Sequence, residues 1–354
     1  MTQALRIYNQ ESNFITVILS NKFDFKFNRI QIFAGYQTDI KKAVKVKSSA
    51  KKIIKKTITK VSRQQSILQK LKAIKGSPLS RYNIVFLPEK RNSDPIRKVL
   101  LNDWVELEHT WLNFETNVQI DDFHDSNIEI LLKKYDDAIS ENEKNLINVM
   151  NTICESVLEI KENFDLDVHW DMQWVQNMYR IFGEVDNENR KEQKKNSAET
   201  EEKQNGRWKH DIVYYLKFND MKFHIGFGET VGDAFINDDK KMKNDLEKIL
   251  KAMQLGLFEL QRVLDETNIC SEIQKTETYG ILVYKKMVSF YATHCHDGVY
   301  LVDKIDSFTL PDEAFELKTL SHIMKRILCF KKRIINQVDL LENYLTIDTR
   351  RKEP

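Results

Sequence analysis

Residues 207–233, RWKHDIVYYLKFNDMKFHIGFGETVGD, decide how this chain is read. Two runs rich in β-branched and aromatic residues flank Asn219-Asp220. That composition predicts a β-hairpin. An acid stands near the far end of each strand, Asp211 and Glu229. Whether the two meet depends on one residue of register. A two-residue turn at Asn219-Asp220 pairs positions summing to 439, which sets Asp211 against Gly228 and turns Glu229 to the other face. A three-residue turn, or a single bulge, makes the sum 440 and sets Asp211 against Glu229.

Outward from the hairpin, residues 186–206 are almost entirely polar, with Ala198 the one apolar residue. Such a stretch cannot bury enough surface to offset ordering entropy and reads as a disordered linker. On the other side, residues 238–266 carry an apolar stripe of Met242, Leu246, Ile249, Met253, Leu257, Leu260 and Leu264 and predict a helix. Three strands are expected at 278–284, 287–294 and 298–310, with Lys285-Lys286 and Asp297-Gly298 as turns. A long helix from Pro311 to about Leu345 closes the region, with Asp312 and Glu313 in its first turn, where the helix dipole favours acids.

Upstream, residues 14–19 and 29–36 are short β-like runs within an N-terminal segment, 1–39. Residues 40–88 form a basic arm: this interval has 14 Lys or Arg and no Asp or Glu. The remainder holds 41 bases against 53 acids, so the arm sits on a body of net charge −12. Residues 40–75 read as a helix ended by Gly76-Ser77-Pro78. Lys41, Lys42, Lys51, Lys52, Lys55 and Lys56 are its candidate phosphate contacts, to DNA or RNA. A nuclear-import signal, or a helix docked on the acidic body, are the other readings of the same charges. Residues 96–185 are helical in pattern. Trp104 and Trp111 lie seven apart on one face, and Leu132, Tyr135, Ile139, Leu146, Met150, Ile153, Val157 and Ile160 form a stripe within 125–163. That stripe serves either the core or a protein partner.

Composition bounds the class. With 354 residues, 41% apolar, and only ten glycines and five prolines, the chain is expected to be a largely helical α/β protein. The helical N-terminal half precedes a small mixed sheet flanked by helices at 207–345. The cysteines Cys154, Cys270, Cys295 and Cys329 show no paired spacing and read as free thiols of a reducing, intracellular compartment, nucleus or cytoplasm. No run of about 18 apolar residues is present, so no membrane partner is expected.

Two carboxylates suit Mg²⁺, a hard cation that takes oxygen ligands. The stretch YGILVY and the DGVY–IDSF–LP segment, within residues 279–335, resemble a set of uncharacterised fungal proteins. The upstream hairpin is similar to the restriction-endonuclease-like PD-(D/E)XK nucleases, in which an Asp is followed across a turn by Glu-x-Lys. The resemblance covers about residues 165–345. It implies a restriction-endonuclease-like fold, with Asp211 and Glu229 as metal-binding and catalytic acids. It also places Val231 where that family has its lysine, and no Pro precedes Asp211. Valine has neither charge nor donor, so the first expectation is a nucleic-acid-associated, nuclease-like domain that has lost activity. The alternatives are an active Mg²⁺-dependent endonuclease with a relocated lysine, and a helical interaction scaffold. Lys240, Lys241 and Lys243 on the following helix, or Lys222 on the strand, are the candidate replacements, with Lys241 chosen as the catalytic one. A separate candidate is His294-Cys295-His296, a Zn²⁺ or Cu²⁺ pair needing a third ligand from His210, His224 or Cys270.

Overall fold

The structure is a computed structural model that describes residues 67–88, 93–112, 125–141, 148–149, 151–152, 171–179, 210–218, 221–231, 238–266, 273–311 and 314–352. The N-terminal segment 1–39, the six arm lysines, the 186–206 stretch, Trp111's side chain, Cys154 and Cys270 lie outside these residues.

Six strands form one mixed sheet: β1 (Ile84–Phe86), β2 (Ile212–Phe218), β3 (Met221–Val231), β4 (Glu277–Tyr284), β5 (Met287–His296) and β6 (Val299–Thr309), in the order β1-β6-β5-β4-β3-β2. β2 pairs antiparallel with β3, and β4, β5 and β6 run as an antiparallel meander. β3 and β4 are parallel, so the chain must cross over between them. Helix α4 (Asp239–Glu266) makes that crossing; α1 to α3 are Pro95–Val99, Leu101–Leu112 and Ser126–Glu141. The final helix α5 spans Leu320–Lys352 and is entered through a 3-10 segment, Ala314–Thr319, rather than directly as an α-helix.

Two apolar layers sandwich the sheet. On one face, Ile249, Leu250, Met253 and Leu257 of α4 pack with Phe227, Val231, Leu282 and Tyr300. On the other, α5 (Ile323, Ile327, Phe330, Ile334) joins Trp104 of α2 and Leu132, Tyr135 and Ile139 of α3 against Tyr214, Ile281 and Phe290. The described part of the 125–163 stripe is therefore spent on the intramolecular core. β4 is buried along its whole length, as its near-continuous apolar run requires of a central strand.

The sheet extends beyond 207–345. β1, inside the interval read as a basic arm, joins it by parallel pairing with β6, Val85 to Leu301. Three residues carry too short a pattern to be told from a loop, and their partner lies more than 200 positions away.

α4 lies unusually close to β3 and β4. A Cβ on Gly256 would come within 2.6 Å of the His224 carbonyl oxygen, and one on Gly280 within 2.7 Å of Ile249 Cγ2. Real Cβ atoms do not approach so closely, so both positions need glycine for this spacing. The close approach brings the polar edge of α4 to the end of β3.

Candidate functional site

The hairpin changes register part-way along. From Phe218↔Met221 to Tyr215↔His224 the pairs sum to 439; from Tyr214↔Gly226 to Ile212↔Gly228 they sum to 440. Ile225 is the extra residue, a β-bulge. Gly226 permits it: a Cβ there would lie 2.4 Å from Tyr214 Cδ2. The bulge reverses the alternation of faces, so Phe223 and Ile225 belong to the α5-side core while Phe227 and Val231 belong to the α4-side core. One step beyond Ile212↔Gly228, Asp211 stands opposite Glu229. Both acids project toward α4, in line with Val213 and Val231.

Asp211 is exposed at the rim, and its Oδ2 accepts the Thr230 backbone N–H at 2.8 Å. Glu229 is only 4% exposed. Its Oε1 lies 2.6 Å from His210 Nδ1 and 2.5 Å from Lys248 Nζ. The His210 ring also packs 5.4 Å from the Phe227 ring, which fixes its plane. Val231, where the resemblance would place a lysine, is 2% exposed and belongs to the apolar layer under α4. A lysine could not stand there without burying its charge in that layer. An ammonium group of α4 does reach Glu229.

The ammonium group in contact with Glu229 is that of Lys248. Lys241 is exposed, and its backbone N–H caps the helix start by donating to Asp238 Oδ1 at 2.8 Å. Lys240 and Lys243 are exposed as well. Lys222 stands over the Tyr215 ring, 5.0 Å from its centroid, next to the turn at the opposite end of β3.

Asp245, one turn before Lys248, completes the cluster. Its carboxyl is pushed above the usual range by desolvation and then by Glu229, against which Lys248 and Lys241 act; Asp211 adds a smaller push upward. Asp211 is likewise raised, first by desolvation; the Thr230 N–H opposes this, Glu229 raises it further, and Lys248 and His210 act against that. Three carboxylates thus sense one another, with Lys248 acting on both Asp211 and Asp245. A carboxyl raised in the folded state costs stability once pH exceeds its unfolded value, and costs nothing when both states are protonated. Asp245→Asn should therefore raise the unfolding midpoint at neutral pH, and the gain should vanish as pH falls below about 4, the ordinary Asp value. Thermal unfolding across that range checks it; a gain independent of pH would contradict the shift.

Mg²⁺ takes one or two carboxylates and keeps several waters, and Asp211 with Glu229 are two acids across one strand pair. Among the described residues, no group of three or more His, Cys, Asp or Glu is placed to hold a metal ion.

The His294-Cys295-His296 candidate is not assembled. His294 is buried opposite Glu277, and burial, with lesser help from His296 and Arg333, pulls its pKa down to about 3. His296 Nε2 lies 3.7 Å from Asp297 Oδ2. Cys295 packs against the α4-side layer, and burial pushes its thiol up to about 11. Of the proposed third ligands, His210 is engaged with Glu229. His224 is held below the ordinary histidine range by burial, Lys222 and His210.

Comparison with protein-family models, with curated proteins and with solved structures finds no match for this chain. Among the described residues no helix is long and apolar enough to cross a membrane.

Sequence reasoning reached Asp211 and Glu229, and named His210 only as a partner for His294 and His296 rather than for Glu229; it missed Asp245 and Lys248. Their signal was present: Lys241, Asp245 and Lys248 follow at helical spacing along one border of the α4 stripe.

Proposed function

We propose that this chain is a divalent-metal-dependent phosphodiesterase acting on nucleic acid, with the lysine absent at Val231 supplied from α4 by Lys248. The observation that carries the reading is the 2.5 Å contact of Lys248 Nζ with Glu229 Oε1, beside an Asp211 brought opposite by the bulge. The inactive, degenerate reading rests on the missing lysine, and the Lys248 ammonium beside Glu229 favours the active one. The resemblance of the hairpin to PD-(D/E)XK nucleases supports the same chemistry.

Asp211 and Glu229 would hold the cation. A bound Mg²⁺ supplies Lewis acidity and lowers the pKa of bound water. The chain's own groups do the rest. His210 Nδ1 and the Lys248 ammonium both lie against Oε1 of the Glu229 carboxylate. Lys248 offers a preorganised positive charge to the oxygens of a phosphodiester as charge develops on phosphorus. Val231 and Phe227 keep the floor beneath the acids apolar, which strengthens these interactions.

Nicking of supercoiled plasmid by the full chain, with Mg²⁺, Mn²⁺ or EDTA, tests the reading. Nicking should require the metal and should disappear in Asp211→Ala and in Glu229→Ala. No metal-dependent nicking, or equal nicking by those variants, would overturn it.

A further inference from the structure

The end of the sheet that carries the acid pair is bordered by lysines that the proposed chemistry does not use. Lys240, Lys241 and Lys243 are exposed on the first two turns of α4. Lys285 and Lys286 form the β4–β5 turn, with Lys285 in the left-handed region at φ 58°. The two groups are held side by side by Tyr284. Its hydroxyl donates to Asp239 Oδ1 at 2.8 Å and accepts the Asp238 N–H at 3.1 Å. Parallel pairing sets Tyr284 beside Val231, two residues past Glu229.

The acids among these lysines are turned to internal tasks. Asp238 caps α4 through the Lys241 N–H, and Asp239 accepts from Tyr284. Both carboxylates keep their charge but are tied to the helix start by these bonds, while Lys240, Lys241 and Lys243 are exposed to solvent. The result is a basic rim around an acidic centre. That pattern suits a phosphodiester chain, whose regularly spaced charges need cations on either side of the linkage held at the acids.

We infer that Lys240, Lys241, Lys243, Lys285 and Lys286 form a rim that seats a nucleic-acid backbone across the Asp211–Glu229 pair, without reading its sequence. This rests on the proposed function, since that reading sets where the backbone must lie.

The test measures binding of the full chain to a short fluorescein-labelled DNA duplex in EDTA, over a salt series, so that cleavage plays no part. Each phosphate contact contributes about 0.9 to the slope of log K against log salt. Lys240→Ala/Lys241→Ala/Lys243→Ala should lower the slope by about 2–3 and Lys285→Ala/Lys286→Ala by about 1–2, each weakening binding roughly tenfold at moderate salt. Lys241's capping role uses only its backbone, so alanine preserves it. Lys332→Ala, exposed on α5, should change neither quantity, and Asp211→Asn/Glu229→Gln should bind as tightly or more tightly. Wild-type slope and affinity in both rim variants, with circular dichroism unchanged, would overturn the rim. So would a full chain that does not bind the duplex at low salt. Rim-dependent binding without nicking would refute the catalytic reading and leave the rim standing; nicking with rim-independent binding would do the reverse.

Discussion

Lys248→Met should lower metal-dependent nicking by about 10²–10³-fold, the usual loss when one preorganised donor is removed from a site where charge develops. Methionine keeps the length and apolar stem of lysine, so the packing of α4 on β3 changes little. What disappears is the ammonium group 2.5 Å from Glu229 Oε1. Affinity for Mn²⁺, measured by calorimetry, should not fall, because a positive charge has been taken away from the acids. That split separates a lysine acting on the reaction from one that merely holds the metal ligands in place. Lys248→Arg keeps the charge but presents a planar fork, and should retain part of the activity. Lys241→Met should stay within about twofold of wild type at saturating DNA, since the exposed Lys241 side chain belongs to the rim rather than to the reacting centre. A Lys248→Met protein that folds and nicks at the wild-type rate would refute the relocated lysine.

The hairpin and the helix after it were legible because their periods are long and regular. β2, β3, α4 and the β4–β6 meander fall where alternation and the apolar stripe put them. Whether the acids meet was not legible, because it turns on one inserted residue. A bulge at Ile225 leaves no periodic mark; its trace is the pair Gly226 and Gly228 in HIGFGE, of which Gly226 is required by the overlying Tyr214 ring. The lysine expected among Lys240, Lys241 and Lys243, or at Lys222 on the strand, is not the one in contact with Glu229; Lys248 is, two turns past Lys241, where helix geometry returns the same edge to the sheet. Sequence spacing identifies such an edge but not which of its residues meets a strand end, because that depends on how closely the helix packs. Here glycines at 256 and 280 set that distance. Resemblance to a nuclease motif points to the β2–β3 pair and, taken literally, sets its lysine at an apolar core residue, Val231.

Arg333 is the residue whose surroundings the sequence most disguised. It ends the basic run Lys331-Lys332-Arg333 in the closing helix. In the structure it is 1% exposed and meets Glu277 of β4 through Nη2 to Oε1 at 2.6 Å and Nε to Oε2 at 2.9 Å. The Tyr279 hydroxyl donates to the same Oε2 at 3.1 Å. This bidentate pair sits between α5 and the central strand, on the face away from the candidate site, beside the parallel stack of Phe290 on Phe330 at 4.1 Å. Arg333→Met should therefore cost about 3–5 kcal/mol of stability, because it leaves a buried carboxylate without its cation. Urea unfolding checks the loss. Adding Glu277→Gln should recover a substantial part of it, since the uncompensated charge is then gone and desolvation of two ions no longer opposes folding. A loss below about 1 kcal/mol, the level of a surface ion pair, would mean that the pair opens to water. Nicking per folded molecule should be unchanged in both variants. The charge at Arg333 acts through the sheet's stability, whereas the charge at Lys248 acts at the acids, and the two variants separate those roles on opposite faces of one sheet.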